Sequence, residues 1–171
     1  YQLENIVGPI IEEAKAWGNI PIIAAGGVWD KNDIDKFIAM GCSGVQMATR
    51  FIGTFECDAD AQFKNVLLNA KAEDIQLMKS PVGLPARGVM TNLQFSIENK
   101  TAPKVQCISN CVSPCNRGHE AKIVGYCIAD RLGAAYQGDT QTGLFFSGSN
   151  GYRIDKIISV KELMEKLTVG E

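Results

Sequence analysis

The sequence predicts an α/β fold assembled from parallel βα units. Two short apolar runs, Pro21-Ile-Ile-Ala-Ala25 and Gly44-Val-Gln-Met-Ala48, have the length and composition of fully buried strands. Each follows a stretch of helical periodicity, so the order reads helix, strand, helix, strand. Strands that alternate with helices of about ten residues lie parallel and are joined by right-handed crossovers.

The first helix is marked by Leu3, Ile6, Val7, Ile10, Ile11, Ala14 and Trp17 at i, i+3, i+4, i+7 spacing, and Gly18-Asn19 stops it. The first strand ends in Gly26-Gly27. The second helix starts near Asp30 or Asn32, presents Ile34, Phe37, Ile38 and Met40 as its apolar face, and ends with Gly41 as the C′ residue. Residues 60–70 form a third helix with Phe63, Val66 and Leu67 inward, and residues 74–78 read as extended. The run Ser80-Pro81-Val82-Gly83-Leu84-Pro85 breaks regularity and leads into Ala86-Arg87-Gly88. Residues 91–98 carry a helical pattern. Another helix begins at or just after Cys127, runs through Ile128, Leu132 and Ala135, and stops at Gly138. In the last helix Ser159-Val-Lys-Glu162 fits a capping box, with Val160, Leu163, Met164 and Leu167 as the apolar face.

A closed (β/α)8 barrel takes ~250 residues and an open doubly wound sheet about four or five strands, so two visible βα units complete neither. The chain opens inside a helix and Tyr1 is not an initiator methionine, so it is expected to be the C-terminal part of a longer protein.

Composition narrows the function classes. The 46% hydrophobic and 21% charged content is that of an ordinary globular domain. With 17 basic and 19 acidic residues and no long run of one sign, the chain lacks the electrostatic footprint of a nucleic-acid binder. No apolar run approaches the ~20 residues of a membrane span. Cys42 and Cys57 lie in apolar segments that read as core, and no signal peptide opens the sequence, so the expected location is the cytoplasm and disulfides have no support.

Four further cysteines fall in a Gly/Pro/Ser/Asn-rich stretch with C-x3-C-x3-C-x11-C spacing: Cys107, Cys111, Cys115 and Cys127. Thiolates this dense suit an iron–sulfur cluster or a structural zinc, both of which need deprotonated sulfurs converging from a chain that folds back on itself. Zinc sites favour two-residue gaps, so the spacing leans towards the cluster but leaves zinc open. The sole histidine, His119, reads as a solvated loop residue beside Glu120 and Lys122, with a fourth zinc position as the alternative.

Gly26-Gly27 at the end of one buried strand, and Gln46-Met47-Ala48-Thr49 at the end of the next, form a repeated pattern one βα unit apart. Residues without side chains at a strand end let the backbone approach an anion and point N–H groups at it. In barrels the loops after the last two strands commonly share a phosphate. A flavin mononucleotide or a sugar phosphate is the ligand class; no G-x-G-x-x-G dinucleotide fingerprint is present.

Pro21-Ile-Ile-Ala-Ala-Gly-Gly27, Gly44-Val-Gln-Met-Ala-Thr-Arg-Phe51, Thr54-Phe-Glu-Cys57 and Gly83-Leu-Pro-Ala-Arg87 together resemble the C-terminal half of the nitronate monooxygenase and enoyl-ACP reductase II superfamily of FMN-dependent TIM barrels. Ile108-Ser-Asn-Cys111-Val, Pro114-Cys-Asn-Arg-Gly118, Gly125-Tyr-Cys-Ile-Ala-Asp130 and Ser149-Asn-Gly-Tyr-Arg-Ile-Asp-Lys156 resemble one branch more closely. That branch comprises the iron–sulfur flavoenzymes that dehydrogenate and isomerise decanoyl-ACP in bacterial unsaturated fatty-acid synthesis.

The resemblance implies the C-terminal part of a (β/α)8 TIM barrel in residues 1–102, then a cysteine loop and C-terminal helices packing on the barrel in residues 103–171. It implies FMN-phosphate contacts at Gly27, Gln46, Met47, Ala48 and Thr49 with Gly26 adjacent, and a 4Fe-4S cluster on Cys107, Cys111, Cys115 and Cys127. The implied reaction removes a hydride from C2 or C3 of a medium-chain acyl group, coupled to proton abstraction; nitronate oxidation or NAD(P)H-dependent enoyl-ACP reduction on the same scaffold is the alternative. The implied partner is acyl-carrier protein, in a homo-oligomeric enzyme. Two departures stand out. Many relatives have glycine at the position of Ala48, whose N–H still serves a phosphate if its φ stays negative. The family's catalytic histidine lies in a Gly-Gly-His segment upstream of these motifs, so no residue here inherits that role and the 171 residues alone are expected to be inactive.

Overall fold

The computed structural model describes residues 2–82, 84–102, 107 and 125–170. The chain divides into two compact units, Tyr1–Cys57 with Lys156–Glu171, and Asp58–Asp155.

In the first unit, helix α1 (Glu4–Ala16) buries Val7, Ile11 and Ala14, the i, i+4, i+7 stripe of its pattern. Gly18 (φ 95°) and Asn19 (φ 57°) end it in the left-handed region, as the Gly-Asn pair predicts. Ile6, Ile10 and Trp17 belong to the predicted face yet stand 39%, 45% and 71% exposed, and the Trp17 indole N–H donates to Glu13 at 2.6 Å. Helix α2 (Lys31–Ala39) is bounded by local hydrogen bonds. Asp30 accepts from the Asp33 N–H at 3.1 Å, and Asp33 accepts from the Trp29 N–H at 2.8 Å. At the other end Gly41 (φ 102°) donates to the Ile38 carbonyl and Cys42 to that of Phe37, the paired bonds of a Schellman turn.

Strands β1 (Ile23–Ala25) and β2 (Gly44–Gln46) flank α2 and pair in parallel, with Ile23, Ala24 and Ala25 opposite Gly44, Val45 and Gln46. The expected parallel βα unit is therefore present, but full burial of its strands is not. Ala24 is buried while Ile23 is 54% exposed, and β2 is half-buried to exposed. A strand is buried on both faces only inside a wider sheet with layers on each side, and among the described residues β1 and β2 pair with each other alone. Val7, Ile11, Ala24, Val28, Phe37 and Cys42 form the core of this layer. Ile38, expected to face it, is 45% exposed, and Cys57, read as core, is only half-buried in a turn where its N–H donates to Thr54 Oγ1.

After the short helix α3 (Thr49–Ile52), Thr54 bridges in parallel to Ile158, which brings the C-terminal segment back onto the same unit.

The second unit begins with α4 (Ala61–Asn69), capped by Asp60, and holds an antiparallel sheet of β3 (Ile75–Met78), β4 (Ala86–Val89) and β5 (Phe145–Phe146). The expected extension at 74–78 is thus a strand, whereas β4 and β5 lie where no strand was expected. Helix α5 (Asn92–Glu98) starts where Gln94 Oε1 accepts from the Thr91 N–H at 2.8 Å, and α6 (Ile128–Tyr136) starts at Cys127 and stops before Gly138, as predicted. Leu93, Tyr126 and Leu144 are the heart of this core, and the Phe63 and Phe145 rings pack tilted at 4.9 Å.

Helix α7 (Val160–Thr168) closes the first unit. Ser159 caps it by accepting from the Glu162 N–H at 3.0 Å, and the Glu56 carboxylate accepts from the Val160 N–H. Leu163 and Leu167 pack with Ile158 against Ile34, Met47 and Phe51. Each fully buried leucine contributes about 1.5–3 kcal/mol. Met47 thereby touches both cores of this unit, which fixes the segment following β2.

Candidate cofactor site

Two turns leave the carboxyl edge of the β1–β2 pair side by side, because Ala25 and Gln46 are the last residues in register. In the first turn Gly26 and Gly27 have φ of 105° and 75°, values that L side chains rarely adopt. Both are exposed. A Cβ placed on Gly26 would meet nothing within 4 Å, so the space over this backbone is open. Behind it, Val28 and Trp29 are buried and anchor the turn to the start of α2.

In the second turn Gln46 and Ala48 are exposed, while Met47 and Thr49 are half-buried. The φ of Ala48 is −128°, the negative value an alanine needs at this place. The structure thus brings Gly26, Gly27, Gln46, Met47, Ala48 and Thr49 to one sheet edge. Sequence reasoning missed a further contact: the Arg50 guanidinium lies 4.5 Å over the ring of Trp29, joining the two turns. The partners are 21 positions apart and follow no helical or strand period, so only the fold pairs them. An exposed glycine backbone at a strand end suits a phosphate monoester.

Of the predicted metal ligands, Cys107 is exposed and Cys127 is half-buried at the start of α6, and neither is in a disulfide. Cys111, Cys115 and His119 lie outside the described residues. Among the described residues no group of three or more His, Cys, Asp or Glu side chains is placed to hold a metal ion.

An open cavity of about 420 Å³ lies elsewhere, in the second unit, between β3 and α5. Its walls include Met78, Gln94, Ile97 and Tyr126. The Tyr126 hydroxyl donates to the Lys79 carbonyl at 2.8 Å, and burial pushes its pKa up to about 12. Because the folded chain holds this proton more tightly than the unfolded one, its contribution is intact below pH ~10 and falls as pH rises from ~10 to ~12. An alkaline titration followed by phenolate absorbance is expected to show the buried Tyr126 ionising well above pH ~10, coincident with unfolding. Ionisation near pH 10 in the folded protein would contradict the buried hydrogen bond.

No helix among the described residues is long and apolar enough to cross a membrane. Comparison with known proteins places the architecture. The structure of FabK from Thermotoga maritima matches over 96% of this chain and 48% of its own, with a TM-score of 0.71 and 25% identity. A nitroalkane oxidase from Streptomyces ansochromogenes matches over 96% of this chain and 43% of its own, with a TM-score of 0.64 and 24% identity, and so shares the fold. These likenesses bear out an α/β chain of the TIM-barrel type. Proteins from Staphylococcus saprophyticus and Staphylococcus aureus described as probable nitronate monooxygenase are 35% identical over 71 residues, which is 42% of this chain and 20% of theirs. The chain therefore spans a fifth of those relatives in the matched region and about half of the FabK structure. The family model described as nitronate monooxygenase matches residues 2–170, and the chain belongs to the nitronate monooxygenase family.

Proposed function

We propose that this chain supplies the FMN-phosphate cradle of a flavin-dependent oxidoreductase acting on a medium-chain acyl group carried by acyl-carrier protein. One observation carries the flavin half of this reading: two turns, one built on Gly26-Gly27 at positive φ and one on Gln46 to Thr49, open side by side at the end of a parallel strand pair. Gly26, Gly27, Ala48 and Thr49 would hold the phosphate, with Gln46 and Met47 shaping the edge. When bound, FMN supplies the redox chemistry, and the protein supplies orientation and electrostatics. The group that abstracts the substrate proton belongs to the upstream Gly-Gly-His segment that the sequence resemblance implies.

The substrate class rests on the resemblance of the cysteine motifs to the iron–sulfur acyl-ACP dehydrogenase/isomerase branch. In this reading Cys107, Cys111, Cys115 and Cys127 hold a 4Fe-4S cluster, and the free thiols of Cys107 and Cys127 suit that donor set. A second reading, oxidation of a nitronate, draws on the family's description and the staphylococcal relatives.

The test is flavin and metal analysis of full-length protein purified without oxygen, with turnover of decanoyl-ACP and of a nitroalkane measured in parallel. Bound FMN, iron with sulfide, and acyl-ACP turnover are expected, and Cys111→Ser is expected to bleach the cluster absorption while FMN stays bound. Nitronate turnover without acyl-ACP turnover would move the protein to the second reading. Colourless protein with stoichiometric zinc would remove both cofactors.

A further inference from the structure

We infer that Arg50 and Trp29 form a clasp that sets the two phosphate turns against each other and makes them one anion site; this rests on the reading of those turns given above. Each partner belongs to a different turn. Trp29 follows Gly26-Gly27, and Arg50 follows Thr49. The β1–β2 ladder ends at Ala25 and Gln46, so the residues proposed to meet the phosphate lie beyond its hydrogen bonds.

Each partner is anchored independently. The Trp29 N–H is held by Asp33, which is itself tied to Asp30 at the start of α2, and the Trp29 side chain is buried. Arg50 sits in α3 next to Phe51, which packs on the Ile158, Leu163 and Leu167 core. The 4.5 Å stack therefore joins two fixed points. A guanidinium over an indole face is the favoured form of cation–π contact, and it strengthens with desolvation. Stacking uses the face of the guanidinium rather than its in-plane donors, and the charge persists at every pH of interest. Arg50 is thus a positioning residue, acting on the site through its stack on Trp29. A composite site of this kind loses affinity when its halves move independently, since the ligand must then order them on binding.

The experiment measures FMN affinity of the full-length apoprotein by quenching of flavin fluorescence, for wild type, Trp29→Leu, Arg50→Gln, the double variant and Trp29→Phe. Circular dichroism and the unfolding midpoint accompany each measurement. Each single loss is expected to weaken FMN binding about tenfold, and the double variant no more than either single. Trp29→Phe, which keeps an aromatic face, is expected to restore most of the affinity. Where Trp29→Leu fails to fold, Arg50→Gln and Trp29→Phe decide the outcome. Wild-type affinity in a folded Arg50→Gln, or losses that simply add in the double variant, would overturn the clasp and leave the phosphate turns standing. Absence of FMN binding by the wild type would instead sink the reading of the turns, and the clasp with it.

Discussion

Gly88→Ala is expected to lower the thermal unfolding midpoint by roughly 10 °C, from about 3 kcal/mol of overpacking. Gly88 sits in β4 opposite Phe146, and a Cβ there would come within 2.3 Å of the Phe145 carbonyl oxygen and 3.1 Å of Met78 Cε. The methionine end can swing aside; the carbonyl cannot. It belongs to β5, which has two residues in the ladder and carries the fully buried Phe145 against Phe63. Relieving the clash means pulling β5 off β4 and opening the ring contact. The same chemical change at Gly133 is expected to have the opposite sign. That glycine is exposed within α6 and a Cβ would meet nothing within 4 Å, so Gly133→Ala should stabilise by about 0.5–1 kcal/mol. Thermal unfolding of the two variants beside wild type checks both, and equal midpoints would show that β4 and β5 do not approach as closely as described.

The contrast between those glycines shows what a sequence can carry. The bounds of α2 are legible because Asp30, Asp33 and Gly41 make bonds within a few residues of themselves. The stop of α6 at Gly138 and the Ser159 cap of α7 are legible for the same reason. Strand β4 is not, since Ala86-Arg87-Gly88-Val89 has only one β-branched residue and its glycine answers to a carbonyl nearly sixty positions away. Burial of β1 is not legible either, because an apolar strand is covered only by neighbours, which its own residues do not specify. At the site, the pattern found the two turns through glycine placement, a local signal. The Arg50–Trp29 contact that joins them is non-local and left no trace in the spacing.

Gly26→Ala is expected to raise the Kd for FMN by about 10–100-fold while leaving the stability of the apoprotein nearly unchanged. The φ of Gly26 is 105°, beyond the left-handed band of roughly +50° to +70° that L residues tolerate. Alanine held there stores about 1–3 kcal/mol of strain. Two outcomes are open to the turn. If its surroundings are rigid, the strain stays in the folded state, so stability falls and the site keeps its shape. If they yield, the backbone rotates to negative φ, the strain vanishes from the apoprotein, and the first turn loses the shape it has beside the second. Gly26 is exposed and lies beyond Ala25, the last residue of β1 in register with β2, so the ladder does not hold its φ, and the second outcome is favoured. Binding must then restore the strained geometry, and at 1.4 kcal/mol per tenfold the strain reappears as lost affinity. Titration with FMN and thermal unfolding of the apoprotein separate the two. A lowered midpoint with wild-type affinity would mean a rigid turn whose glycine serves the fold, and the phosphate would have to be held by the second turn alone.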